Sequence, residues 1–369
     1  MLIVLDAFQA SSQVTGTDRL AFNMLRELQK LDSTNEYIVL VNPQHDFIST
    51  AVSRDNFRLY PIRARKRAVW LTFSLPVLLV RFRADAFYSF HNLSAPGFGV
   101  CRTYVSVLDF IPLASPSVYF GNSNRSFRRL IVTTLMRNSL RVADGFTVIS
   151  EFTRALAVAK YSIDPNRTYL MHLQADPRFG EYVRDEELVS TRSRYQLPTT
   201  FVLAIGGSEP RKNVMSLVSA HKMLPSDLRA EFPLVVAGGQ WHGQSLPLDG
   251  DEFVFSLGFV DDIDLPRIYR LATVFAFPST YEGFGLPVLE AMSSGTPVIC
   301  SNTTSLPEVV GDAALTFDPE DVGEISGVLC KLLEDPKLRS ELSQLGFERV
   351  KLFSWERSAA SLLRLLTGT

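Results

Sequence analysis

Glu282 and Glu290, separated by seven residues, bracket a loop that reads Pro278-Ser279-Thr280-Tyr281-Glu282-Gly283-Phe284-Gly285-Leu286-Pro287-Val288-Leu289-Glu290. Its two glycines allow a ligand close to the backbone, and Pro287 suits the first position of a new helix. A helix N-terminus carries free N–H groups and about half a positive charge, which makes the backbone from Gly283 through Phe284 and Gly285 to Leu286 a ready anion site, best matched to phosphate. Carboxylates beside a diphosphate would repel it. Glu290 and Glu282 are therefore read as acceptors of hydroxyl groups, Glu290 from a ribose diol and Glu282 from a sugar. A second loop, Ile205-Gly206-Gly207-Ser208-Glu209-Pro210-Arg211-Lys212-Asn213, sets two cations at a helix start. There they oppose the macrodipole at about 0.3–1 kcal/mol each unless an anion lies between them. Arg211 can grip two oxygens and Lys212 acts as a point charge, so both suit a diphosphate. Gly16, where the loop 9–16 turns into a helix, offers a further backbone approach to phosphates. Blander origins stay open: a first-turn Glu290 favoured by the dipole, an exposed turn residue at Glu282, solvated cations at 211 and 212.

Two Asp-x-Asp sequences, Asp249-Gly250-Asp251 and Asp262-Ile263-Asp264, have the form that holds a divalent ion on a diphosphate. Turn chemistry accounts for the first. Asp264 is placed to cap the apolar helical pattern Leu265, Ile268, Tyr269, Leu271. With Arg211, Lys212 and a helix terminus available, no metal and no resident cofactor is expected.

The elements that must position these loops are short apolar runs alternating with segments of helical period, the mark of parallel βαβ units. Strands are expected at 2–7, 37–41, 86–90, 103–108, 146–149 and 168–171. A second series is expected at 201–205, 234–237, 254–257, 274–277, 297–300 and 314–317. The fold class is α/β, with two doubly wound Rossmann-like domains facing a central cleft: residues 1–180, a polar linker at 181–200, and 201–352. Ligands in such sheets bind beyond the carboxyl ends of the strands, where both loops lie.

A chain of 369 residues with 46% hydrophobic and 21% charged residues is an ordinary globular one, which sets aside disorder and coiled coils. The longest apolar stretch, 69–80, is broken by Thr72, Ser74 and Pro76 and is too short to cross a bilayer. Met1 leads directly into a strand without a basic region, so no signal peptide is expected and the location is cytoplasmic. The net charge of −2 hides an asymmetry: residues 1–180 carry 21 Lys+Arg against 13 Asp+Glu, the remainder 16 against 26. Much of the excess is one run, Arg54, Arg58, Arg63, Arg65, Lys66, Arg67, Arg81 and Arg83, interleaved with Trp70, Leu71, Phe73, Leu75, Val77, Leu78 and Leu79. Such a run suits a surface resting on anionic lipid at the inner face of the plasma membrane, or a core helix with solvated arginines. Nucleic acid is not an expected partner, because no recognition helix or stacking signature accompanies the charge.

Taken together these residues resemble the retaining glycosyltransferases of sequence family four, which adopt the GT-B fold, and in particular bacterial polysaccharide mannosyltransferases. The likeness rests on the two-glutamate loop continuing into Ala291-Met292-Ser293-Ser294-Gly295-Thr296-Pro297-Val298-Ile299, on Glu-Pro-Arg-Lys-Asn at 209–213, on Val-Ile-Ser-Glu-Phe-Thr-Arg at 148–154 and on Phe-Ser-Trp-Glu at 353–356. It implies that Glu290 holds the nucleotide ribose, that Glu282 lies against the donor sugar, that Arg211 and Lys212 neutralise the diphosphate, and that the helix within 353–369 packs back on the first domain. It further implies transfer of a hexose, first mannose, from a nucleotide diphosphate sugar, first GDP-mannose, to a hydroxyl of a glycan or lipid-linked oligosaccharide with retention of configuration. The chain departs from the family in two places. Leu108-Asp109 stands where relatives often have His-Asp facing the acceptor, so Asp109 is the remaining candidate there, and one glycine, Gly16, stands where many have two. The missing imidazole keeps a catalytically silent nucleotide-sugar-binding partner open, beside a GT-B epimerase or phosphorylase.

Overall fold

The strand segments are short runs of β-branched and aromatic residues buried on both faces, which is what a parallel sheet covered by helices on each side demands. In the computed structural model, which describes residues 1–8, 14–63, 67–92, 99–114, 126–240, 243, 246–248 and 250–368, they form two sheets in two units. The first unit is Met1–Leu173 with Ser354–Thr369, the second Gln174–Phe353.

In the first unit, β1 (Leu2–Asp6), β2 (Glu36–Val41), β3 (Phe57–Pro61), β4 (Ala86–Ser89), β5 (Arg102–Val107), β6 (Gly145–Val148) and β7 (Thr168–Leu170) make a parallel sheet in the order β3-β2-β1-β4-β5-β6-β7. Strand β3 has no counterpart in the periodicity reading. It lies at the sheet edge, where Arg58 and Leu59 face solvent and Pro61 can forgo a ladder hydrogen bond, so its sequence lacks the apolar run of a central strand. Val4, Leu40, Leu75, Leu79 and Phe87 pack in one cluster, and Val105, Val107, Met136, Phe146 and Val148 in another. The helix Gly16–Leu31 starts on a capping box with Thr15 as the N-cap: Thr15 Oγ1 accepts from the Asp18 N–H, and the Asp18 carboxylate accepts from the Thr15 N–H at 2.8 Å. The helix Trp355–Thr367 belongs to this unit. It buries Trp355, Ala359, Leu362 and Leu366, packs on Gly16–Leu31, and Ser358 Oγ donates to the His172 carbonyl at 2.7 Å.

Within the basic run, Arg65 and Lys66 lie outside the described residues. The helical segment that follows comprises Arg67–Val69, a π turn at Trp70–Ser74 and Leu75–Phe82. The π turn falls where Pro76 removes the N–H that would close on the Thr72 carbonyl.

In the second unit, β8 (Val202–Ile205), β9 (Leu234–Ala237), β10 (Val254–Gly258), β11 (Val274–Phe277), β12 (Val298–Ser301) and β13 (Ala314–Phe317) are parallel in the order β10-β9-β8-β11-β12-β13. Strand order reverses between β8 and β11, whose pairing begins at Val202 opposite Val274. That is the switch point at which doubly wound sheets bind ligands. One core built on Val202, Ala204, Leu217, Val236, Ala276, Ile299 and Leu329 supports it.

The segment 181–200, expected to be a linker, is structured and part of the second unit: Asp185–Arg194 is a helix. Its sequence hides this because it is held by charge, not by an apolar stripe. Arg194 pairs with Asp264 at 2.7 Å and Asp261 at 2.6 Å, and Glu187 pairs with Arg267 at 2.5 Å.

Candidate functional site

Both loops singled out in the sequence emerge at the switch point, one after β8 and the other after β11. Strands β8 and β9 each end in a glycine pair, Gly206-Gly207 and Gly238-Gly239, and the two turns pack backbone against backbone. A Cβ on Gly207, whose φ is +54°, would come within 2.1 Å of the Gly239 carbonyl oxygen. No other residue type fits, and the result is a floor of backbone without side chains. Beyond it a 3₁₀ turn, Pro210–Lys212, aims Arg211 and Lys212 back across the sheet end, and Asn213 at φ +52° starts the helix Val214–Lys222.

Glu282 is buried and one of its oxygens, Oε1, is the meeting point of three donors: Lys212 Nζ at 2.7 Å, Arg211 Nη1 at 2.8 Å and Ser279 Oγ at 2.8 Å. Arg211 also pairs with Glu209, and Lys212 lies 4.7 Å above the Phe277 ring. The four ionic groups sum to zero charge. The cations expected to meet phosphate and the carboxylate expected to meet a sugar thus lie on one another, because largely buried cations without a counter-ion would be costly and the nearest carboxylate takes that place. Burial works against an ionised Glu282, but Lys212 and Arg211 outweigh it and hold its carboxyl below the usual range. Burial likewise drags the Lys212 ammonium down; the permanent charge of Arg211 on the same oxygen makes the ionised carboxylate the state at neutral pH. The main chain is fixed as firmly: the Thr280 N–H donates to the Arg211 carbonyl at 2.8 Å, and Ser305 Oγ donates to the carbonyls of Glu282 and Phe284 at 3.0 and 2.8 Å.

Gly285, at φ +116°, is the N-cap of the helix Leu286–Ser293, with Pro287 second in it, and makes no side-chain cap bond. Glu290 sits half-buried in that helix, and the hydroxyl of the fully buried Tyr269 donates to its Oε2 at 3.0 Å. Tyr269 escapes a sequence reading because it belongs to an apolar helical pattern and counts as core. Ser279, three residues before Glu282, and the Gly238-Gly239 pair directly after a strand are the signals in the sequence that mark the remaining parts of the site.

The acidic pairs do other work. Asp264 occupies the N-cap position of Leu265–Leu271 yet makes no cap bond; its buried carboxylate accepts from Arg194, Arg267 and the Tyr195 hydroxyl. Asp262 faces Arg178 at 3.7 Å, Asp251 accepts from Arg229 at 2.8 Å, and Asp249 lies outside the described residues. In the first unit, Asp109 follows β5 and its Oδ1 accepts from the Ile111 N–H at 3.0 Å, while the Asn92 side chain bridges the Leu108 N–H and the Asp109 carbonyl. Gly16 has ordinary helical backbone and open space around its Cα, so the fold itself does not require glycine there.

Residues 190–349, which contain Arg211, Lys212, Tyr269, Ser279, Glu282 and Glu290, match the family model described as glycosyl transferases group 1. This segment is a group 1 glycosyl transferase domain. The chain is 38% identical over 230 residues to O-antigen chain mannosyltransferase B of Escherichia coli, covering 60% of each protein. To the serotype-specific mannosyltransferase WbdA of Escherichia coli it is 29% identical over 398 residues, 97% of this chain and 47% of that one. It thus spans 47% to 60% of those relatives' length. Among solved structures, WaaG, a glycosyltransferase involved in lipopolysaccharide biosynthesis, superposes at TM-score 0.74 and 15% identity over 100% of both chains. Anabaena Alr3699/HepE in complex with UDP and glucose gives 0.75 at 15% identity, over 99% of each. The fold is therefore GT-B. Within this glycosyl transferase domain, Arg211, Lys212 and Glu282 meet beyond the ends of β8 and β11, next to Gly283–Leu286, and Glu290 lies one helix turn further on.

Proposed function

We infer that the chain is a retaining hexosyltransferase that moves mannose from GDP-mannose to a hydroxyl of a glycan or lipid-linked oligosaccharide in surface polysaccharide synthesis. The observation that carries this reading is the convergence of Arg211 and Lys212 on Glu282 at the switch point, beside a glycine-capped helix start. Mannose and the polysaccharide setting are supported by the named activities of the Escherichia coli relatives.

In the free protein Arg211 and Lys212 share Glu282 Oε1. An arriving diphosphate offers them two negative charges and four free oxygens against the one charge of the carboxylate and draws them off it, and Glu282 is then released to accept from sugar hydroxyls. Cations and backbone N–H groups at Gly283–Leu286 face the negative charge that grows on the leaving diphosphate, which is catalysis by preorganised donors. Glu290 takes the ribose diol. Because two cations and a helix terminus supply the positive charge, the reaction is proposed to need no metal, and Asp109 and Gly16 keep the acceptor and phosphate roles that their motifs imply.

Calorimetric titration with GDP, UDP, dTDP, ADP and CDP, with and without EDTA, tests the donor. The expected result is selective binding of GDP that survives EDTA and is lost in Glu290→Ala. Binding of another diphosphate corrects the donor, binding abolished by EDTA overturns the metal-free reading, and no binding at all overturns the transferase. Retention is then read from the anomeric configuration of the product by NMR.

A further inference from the structure

The helical segment of the first unit that follows the basic run has two faces of different fate. Leu71, Leu75 and Leu79 are buried against the sheet, in the cluster with Val4, Leu40 and Phe87. On the other side Val69, Phe73, Val77 and Val80 are 52%, 67%, 68% and 61% exposed. Their spacing of four, four and three residues keeps them in one stripe along the helix. Single exposed apolar residues are commonplace, but four aligned on one element with an aromatic among them are not.

The charge around the stripe is of one sign. From Asn56 to Ala84 the chain has seven cations, Arg58, Arg63, Arg65, Lys66, Arg67, Arg81 and Arg83, and no Asp or Glu. Arg81 stands one turn beyond Val77, on the exposed side. Arg58 pairs with Glu36, whereas Arg63, Arg81 and Arg83 make no ion pair among the described residues. A second copy of the chain docked through the same patch would set these cations against their equivalents, so self-association is disfavoured. A bilayer with anionic headgroups answers both halves at once, taking the stripe into its interface and the arginines at the headgroup level.

We propose that the exposed face of residues 67–83 is a membrane-docking surface, with Val69, Phe73, Val77 and Val80 entering the interface of an anionic bilayer and Arg63, Arg81 and Arg83 contacting lipid phosphates. The surface does not depend on the transferase reading, since none of its residues belongs to the diphosphate loops. Co-flotation of the full chain with phosphatidylcholine vesicles, with and without phosphatidylglycerol, tests it. Wild type floats only with the anionic vesicles and is released by salt, and Phe73→Ser/Val77→Ser and Arg63→Glu/Arg81→Glu each lower the bound fraction about tenfold. All four side chains are exposed, so unchanged thermal unfolding is expected of both variants. The proposal is overturned by wild type that stays in solution, by equal flotation on neutral vesicles, by flotation indifferent to the Phe73/Val77 change, or by a dimer in sedimentation that this change dissociates.

Discussion

The Tyr269 hydroxyl donates to Glu290 Oε2 and restrains its rotamer, and under the proposed ribose role the carboxylate gains from arriving in position. Tyr269→Phe keeps the ring packing on Phe179 and Phe275 and removes the hydroxyl that donates to Glu290. It should raise the Kd for GDP about tenfold, roughly 1.4 kcal/mol, in line with a hydrogen bond to a charged group. Binding of 2′,3′-dideoxy-GDP should be unmoved; equal losses for both nucleotides would mean a packing defect instead. Glu282 is the second case. Glu282→Gln leaves Lys212 buried without a carboxylate, a loss on the order of 3 kcal/mol in chemical denaturation. The pH dependence follows from the same contacts. The folded carboxyl has a lowered pKa, so it binds fewer protons than the unfolded one, and its stabilisation is complete above the ordinary glutamate range and disappears as pH falls through the folded value. Wild type should therefore lose stability more steeply than Glu282→Gln on acidification below pH ~4.5, as followed by thermal unfolding.

At the scale of elements, the ends of β8 and β9 form a joint that only glycine permits. Gly207→Ala demands both a left-handed alanine and a displaced Gly239 carbonyl. The strain alone is about 1–3 kcal/mol, and the displacement adds to it. Calorimetry should show a lowered Tm for the second unit and weakened diphosphate binding. Gly16→Ala is the instructive contrast, because its backbone is ordinary and its surroundings are open. Its stability should hold or rise slightly, so any lost turnover would report a ligand that needs the space.

At the scale of the whole molecule, the helix Trp355–Thr367 packs back on Gly16–Leu31 within the first unit. Removing residues 354–369 exposes the face of Gly16–Leu31 that Trp355, Ala359, Leu362 and Leu366 cover. Each large apolar side chain contributes roughly 1.5–3 kcal/mol when buried, so the loss should unfold or loosen the first unit and spare the second. Hydrogen exchange should rise in Gly16–Leu31 while β8–β13 stay protected; uniform loss across both units would mean that they unfold as one.

The sequence by itself determined the two parallel sheets, since runs such as Phe275 to Phe277 must be buried on both faces, and it marked the two candidate loops, whose glycines, cations and carboxylate the fold then brings together. Its limits lie where an element is not stabilised by a local pattern. Strand β3 is held by its neighbour's ladder, and Asp185–Arg194 by arginine and carboxylate partners distant in sequence. Asp264 is legible as a cap and is instead an ion-pair hub. Tyr269 is legible as core, and only tertiary structure brings its hydroxyl to Glu290. Above all, the letters Arg211, Lys212 and Glu282 state which charges stand in the two loops, but not that the three pair with one another. That pairing was decided by burial, because desolvation leaves a charged group no partner except the one the fold brings within reach.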